Sequence, residues 1–231
     1  MPRRPSTTLV VSTPSKRTAK RARVGSKALV TKKTFPLKYN PVPPKFVTTV
    51  RYADVVNLSI TSGAFASQVF SCNGLFDPDV TGTGHQPLYF DQLIALYQHY
   101  NVMSSKITIR ATVAEADLTA LAMMVRVDDN SSLNANAVAS MAELPGANTP
   151  YTVTNTAVSA LPVLYASWRA KDIFPGNDIA NLQGSSGANP TEQSYYIIGG
   201  QDYALNTLVI TCAVLIEYQV MWSEYKSVAT S

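Results

Sequence analysis

From Leu208 to Trp222 every even position is apolar: Leu208, Ile210, Cys212, Val214, Ile216, Tyr218, Val220 and Trp222. Period two sustained over such a stretch is a strand signature, because successive side chains of a strand point to opposite faces. A helix would wind the same row around all of its sides. The odd row runs Val209, Thr211, Ala213, Leu215, Glu217, Gln219, Met221, Ser223. Its first half is expected to be buried on both faces, and its second half to turn one face to water or a neighbour. At 3.3 Å per residue the strand spans roughly 55 Å, which predicts that it runs past its own sheet into an interface.

The same reading finds seven more strands. In Phe46–Ile60 the row Phe46, Val50, Tyr52, Val56, Leu58, Ile60 is apolar between polar neighbours. Phe65–Cys72 is a second strand, and Asn73–Pro87 is a Gly- and Pro-containing loop. Leu88–Tyr100 is the best helix candidate on the spacing of Leu93, Ile94, Leu96 and Tyr97, one or two turns inside a β chain. Ile107, Ile109, Ala111 and Val113 alternate with Lys106, Thr108, Arg110 and Thr112, so one face is buried and one is wet. Leu118–Asp128 follows, with Leu121, Met123, Val125 and Val127 in one row. Ala135–Leu144 is a short helix. Strands near Tyr151–Thr156, Val163–Ala170 and Gln193–Ile198 complete the count, with a loop over Pro175–Asn189. The fold class is all-β: an eight-stranded antiparallel jelly roll of two four-stranded sheets with short helices in the loops. Long helices do not alternate with the strands, which excludes a parallel α/β fold.

Charge divides the chain in two. Residues 1–50 contain twelve Lys and Arg and no acid, whereas residues 51–231 hold 19 − 12 = 7 basic and all 15 acidic residues. The first part is thus +12 and the rest 7 − 15 = −8. A block of like charge repels itself and stays extended until a polyanion neutralises it, so a disordered arm is expected. Residues 1–45 form this arm, with a Pro-rich hinge at Pro36, Pro41, Pro43 and Pro44, and residues 46–231 form the shell-like β domain. The phosphate-binding candidates are Arg3, Arg4, Lys16, Arg17, Lys20, Arg21, Arg23, Lys27, Lys32 and Lys33. Lys and Arg displace condensed counterions from a nucleic acid without reading its bases. The densest cluster, Lys16, Arg17, Lys20, Arg21 and Arg23, also has the form of a nuclear localisation signal.

Other chemistries find little support. Cys72 and Cys212 form no CxxC pair, cannot build a four-ligand zinc site, and fall in apolar runs, so buried free thiols are expected. Asp77 and Asp79 could hold calcium at a subunit contact, but Asp-Pro-Asp is first a turn. The histidines are His85 and His99, and no serine lies in a Gly-x-Ser-x-Gly elbow, so no enzyme is expected. Trp168, Trp222, Tyr195 and Tyr196 read as core and interface anchors. No metal or cofactor is expected. Leu208–Ile216, the most apolar run, covers about half a membrane span, so no membrane insertion is expected.

A basic arm, a Pro-rich hinge and an eight-stranded body follow the plan of small icosahedral coat proteins. Phe76-Asp77-Pro78-Asp79, Leu88-Tyr89-Phe90-Asp91-Gln92-Leu93 and Tyr97-Gln98-His99-Tyr100-Asn101-Val102 lead into Ser104-Ser105-Lys106-Ile107. This wording, over residues 70–110, resembles capsid proteins of small circular single-stranded DNA viruses that encode a replication initiator, the circovirus-like group. The arm has fewer Arg than circoviruses proper. The resemblance implies a T=1 shell of ~60 copies that packages the genome through the arm, contributing about 60 × 12 = 720 positive charges. It implies residence in the virion and, during assembly, in the host nucleus. Expected partners are further copies of the chain, single-stranded nucleic acid with DNA favoured, a host import receptor and a cell-surface receptor. Two other readings stay open: the coat protein of a satellite or small RNA virus, and a non-viral jelly-roll binding module with a nucleic-acid-binding tail.

Overall fold

The computed structural model describes residues 42–113, 120–133, 135–144, 152–155, 161, 163–174 and 180–226. Contacts divide the chain into Met1–Tyr39 and Asn40–Ser231, and every described residue falls in the second unit. The strands are β1 (Lys45–Ile60), β2 (Ala66–Ser71), β3 (Tyr97–Val113), β4 (Ala120–Asp128), β5 (Thr152–Asn155), β6 (Val163–Arg169), β7 (Gln183–Gly184), β8 (Tyr195–Asp202) and β9 (Leu208–Tyr225). Three short helices join them: α1 (Phe90–Leu96), α2 (Val138–Glu143) and α3 (Ala170–Ile173).

One sheet has the order β1-β9-β3-β6, with the two-residue β7 added on β3, and the other has the order β2-β8-β4-β5. All pairings are antiparallel. With β7 set aside, first pairs with last (β1 with β9), second with second-last (β2 with β8), and so inward through β3–β6 to β4–β5. A ribbon nested in this way and folded over into two sheets is a jelly roll. The expected eight strands are therefore present, and β7 is an additional short pairing inside the Pro175–Asn189 loop.

The core lies between the sheets. Tyr52, Leu58 and Ile60 of β1, Ile107 and Ile109 of β3, Ile198 of β8, and the even row of β9 from Leu208 to Trp222 are all buried in one cluster. Two hydroxyls lock the sheets across it. Tyr218 Oη donates to Ser71 O at 2.8 Å, and Ser105 Oγ donates to Cys72 O at 2.7 Å. Such buried bonds contribute about 1 kcal/mol each and cost more when one partner is lost. A second, smaller cluster forms on the outer face of the β2-β8-β4-β5 sheet. There Ala122, Met124 and Ile197 are covered by Val138 and Met141 of α2.

Three expectations need correction. Helix is confined to Phe90–Leu96, and Tyr97–Tyr100 already belong to β3, where Tyr97 pairs with Tyr225 and Tyr100 with Trp222. Helical spacing failed because the two patterns share residues: Phe90 and Ile94 bury from the helix, while Tyr97 and Tyr100 bury from the strand. The rings then pack together, with Phe90 edge-on to Tyr100 at 5.6 Å and both against Trp222. Nor is the first half of β9 buried on both faces: Val209 is 41% exposed. β9 does not overrun its sheet either. It is central, flanked by β1 from Leu208 to Ser223 and by β3 from Ile210 to Tyr225. Its length is that of its two neighbours. Among the described residues no helix is long and apolar enough to cross a membrane.

Candidate nucleic-acid interface

In the β1-β9-β3-β6 sheet one row of each strand faces the core and the other faces outward. The outward rows carry Lys45 and Arg51 on β1, Lys106 and Arg110 on β3, and Arg169 on β6, all exposed. Register brings them together: Arg51 and Lys106 both lie opposite Glu217 on β9, from its two sides, and Ser104 lies opposite both Gln219 and Arg169. Glu217 is committed to Arg51, whose Nη2 lies 2.7 Å and whose Nε lies 2.9 Å from the same carboxylate oxygen. Glu224, at the end of the face, lies 3.7 Å from His99. From residue 51 onward the described residues of this face therefore hold four basic against two acidic side chains, 4 − 2 = +2, within a part of the chain (residues 51–231) whose total is −8, and Lys45 of the +12 block stands beside them. Lys106 also sits over the ring of Tyr165, Nζ 5.6 Å from its centroid. Tyr165 is 58% exposed on the same face, an aromatic surface with a cation against it.

The opposite sheet could not serve in the same way. Its one basic residue among the described strands, Arg126, is buried, with Nη2 2.7 Å from Asp128 and Nη1 donating to Met141 O.

The arm residues proposed from the sequence, Arg3, Arg4, Lys16, Arg17, Lys20, Arg21, Arg23, Lys27, Lys32 and Lys33, lie outside the described residues, as does the localisation cluster within them. Pro43 and Pro44 are described and lead directly into β1, so the chain enters the sheet beside Lys45. Asp79 acts as a turn hub. Its Oδ1 accepts from Gln68 Nε2, Thr81 N and Thr81 Oγ1 at 2.9–3.0 Å. Asp77 lies near it, its carboxyl pushed up by partial burial and then by the charge of Asp79. No group of three or more His, Cys, Asp and Glu side chains suited to a metal occurs among the described residues. His85 is exposed and stacks on Tyr52 at 4.7 Å, and its two ring nitrogens face Gln86 O at 2.7 Å and Ala53 O at 3.1 Å. Cys72 and Cys212 are free and buried, burial pushing the Cys212 thiol up to about 12 and Cys72 well above its usual value. Trp168, Trp222 and Tyr196 are core residues, and Tyr195 packs against the second cluster.

Sequence reasoning missed the sheet face as a site. The signal was present in part: Lys106 and Arg110 alternate with the buried Ile107 and Ile109. What was not legible is that β6 lies beside β3 and adds Arg169, because that adjacency is set by pairing across residues 114–162.

No protein-family model matches the chain, and no curated protein matches it. Solved structures superpose on it weakly. That of desmodium yellow mottle tymovirus has a TM-score of 0.44 at 17% identity, covering 95% of this chain and 100% of that one. The mud crab tombus-like virus structure gives 0.47 at 14% identity, covering 80% and 92%. The 60-mer BFDV capsid protein gives 0.46 at 11% identity, covering 82% and 100%. The jelly roll rests on the nested strand pairing rather than on these superpositions.

Proposed function

We propose that this chain is a viral capsid protein that self-assembles into a small icosahedral shell and packages a single-stranded genome, DNA favoured over RNA. The observation that carries the reading is the sorting of charge on a jelly roll. A +12 arm enters β1 at Lys45, and the sheet it enters presents a basic outer face on an otherwise acidic body. A sequence-independent phosphate contact needs such an array and no base reading. The genome lies against that face, the cations of the arm supply further phosphate contacts, and the acidic remainder forms the outside and the contacts between copies. The role is structural, without a catalysed reaction. The preference for DNA rests on the wording of residues 70–110, and the Lys16–Arg23 cluster directs the chain to the host nucleus before assembly.

Expression of the full chain tests this by size and by nucleic-acid content. Shells of about 1.5 MDa, or ~60 copies of 25.0 kDa, that carry nuclease-protected nucleic acid are expected. A protein that sediments as a monomer or trimer in every buffer refutes the capsid reading. Protected RNA in place of DNA, from cells offering both, refutes the genome preference alone.

A further inference from the structure

At the end of the basic face, where β6 runs into α3, lies a cleft of about 600 Å³. Beside it β3 carries one residue too many. Val102 pairs with Val220 and Ser104 with Gln219, so Met103 is a bulge. A bulge bends its strand and re-aims its side chain. Met103 and Met221 are part of the lining, together with half-buried Phe174 just past α3. Arg169 and Lys171 stand at its edge, exposed and bonded to no described residue. Asn101 also lines it. This residue is only 6% exposed, yet its amide makes no hydrogen bond with any described residue.

The unpaired amide is not among the fully covered polar groups, so the little exposure Asn101 keeps leaves its donors and acceptor open to a ligand. Here the amide borders an open cleft with polarisable apolar surface and a cationic rim. Those three features match the three parts of a nucleotide: a flat apolar ring, hydrogen-bonding edges and a phosphate. A phosphate contact alone would use the rim and leave the rest idle. A purely apolar occupant would leave Asn101 unsatisfied and the two cations without a role.

We propose that this cleft takes one unstacked base of the packaged single strand, its ring against Phe174, Met103 and Met221, its edge on Asn101, and its phosphate on Arg169 and Lys171. The inference rests on the reading of this face as a genome-binding surface and adds to it a contact with the base. Such a pocket would anchor the strand at one fixed point per subunit, while the arm holds it everywhere by charge.

The test compares two strands of equal length and charge, a single-stranded DNA and its abasic counterpart, binding to the full-length chain at several salt concentrations. Base–aromatic contact predicts that the wild type prefers the strand with bases by about tenfold. Phe174→Leu is expected to bring the ratio close to one, while Phe35→Leu with Tyr39→Leu, which removes the arm's aromatics, leaves it unchanged. Asn101→Ala is the second variant should Phe174→Leu fail to fold, and is expected to cut the same ratio. A wild-type ratio of one with salt-dependent binding retained overturns the pocket and leaves the genome-binding face standing. A ratio that survives Phe174→Leu in the folded protein but falls with the arm variant also overturns it. Failure of both strands to bind refutes the genome-binding reading and the pocket with it.

Discussion

Neutralising the outer face of the β1-β9-β3-β6 sheet should change the salt dependence of binding by an amount that the structure sets. The perturbation is Lys106→Gln, Arg110→Gln and Arg169→Gln together in the full-length chain. Arg51 is left alone because Glu217 already neutralises it at 2.7 Å, and Lys45 because it adjoins the arm. All three targets are exposed on strand rows that face away from the core, so each change should move stability by no more than about 0.5 kcal/mol. Lys106 also loses its contact with Tyr165, worth roughly 0.5–1 kcal/mol at an exposed site. For a single strand each neutralised phosphate contributes about −0.7 to the slope of log K against log salt, so loss of three contacts should flatten the slope by about 2. The variant and the wild type then converge near 1 M salt and differ by about 100-fold at 0.1 M. Fluorescence anisotropy with a labelled single-stranded oligonucleotide, titrated across that range, reads both numbers. Lys226→Gln, whose target lies beyond β9 with its backbone N–H on Leu96 O at 2.8 Å, is the control and should keep the wild-type slope. An unchanged slope in the triple variant would mean that the arm alone carries the phosphates, and the reasoning from the sheet face would fail. A loss of affinity equal at all salt concentrations would point to damage rather than lost charge.

Gly184→Ala places a Cβ against the ring of Tyr100. The ring must shift, and the bonds from Leu75 N–H to its hydroxyl at 3.1 Å and from that hydroxyl to Asn189 at 3.2 Å go with it. Overpacking and two lost bonds together should cost about 3–5 kcal/mol in denaturant unfolding of unassembled protein, and a neutral result would place Tyr100 elsewhere. His85 faces two carbonyl acceptors, a geometry only the imidazolium satisfies fully. The bond to Gln86 O is the main cause that raises its pKa, with Ala53 O and Asp54 adding to it against some desolvation. The folded value therefore exceeds the ordinary one near 6.5, and the staple between the Asn73–Pro87 loop and β1 is complete below that pH and is lost as pH rises through the folded value. Proteolysis of that loop should speed up over this window in the wild type and lose its pH dependence in His85→Gln; a flat wild-type profile would remove the staple. Cys72 and Cys212 should resist a thiol reagent at pH 8 until the protein unfolds, since burial holds both thiols protonated and covered; rapid labelling of native protein would contradict this.

Much of this architecture follows from local rules. Alternation located β1, β3, β4, β6 and β9 because each buries one row, and a buried row is written in the sequence at period two. The charge boundary near residue 50 is equally local, since Lys and Arg need no neighbours to be counted. The aromatic segment from Leu88 to Val102 was misread because a short helix and a strand meet inside it. Helical and strand spacing overlap for so few residues, and the choice is made by Trp222, which the segment packs against from the far end of the chain.

What the sequence by itself determined is the fold class and the sign of each part. Only the tertiary structure decided where the body's few cations go. Lys106 and Arg169 lie 63 residues apart in the chain, yet pairing of β3 with β6 sets both on one face. Burial decided likewise for β9. Its odd row looked apolar enough to be buried on both sides, yet only one side has a second sheet to cover it. The Met103 bulge belongs to the same class, because a one-residue register shift is a property of two strands and leaves no mark on either alone.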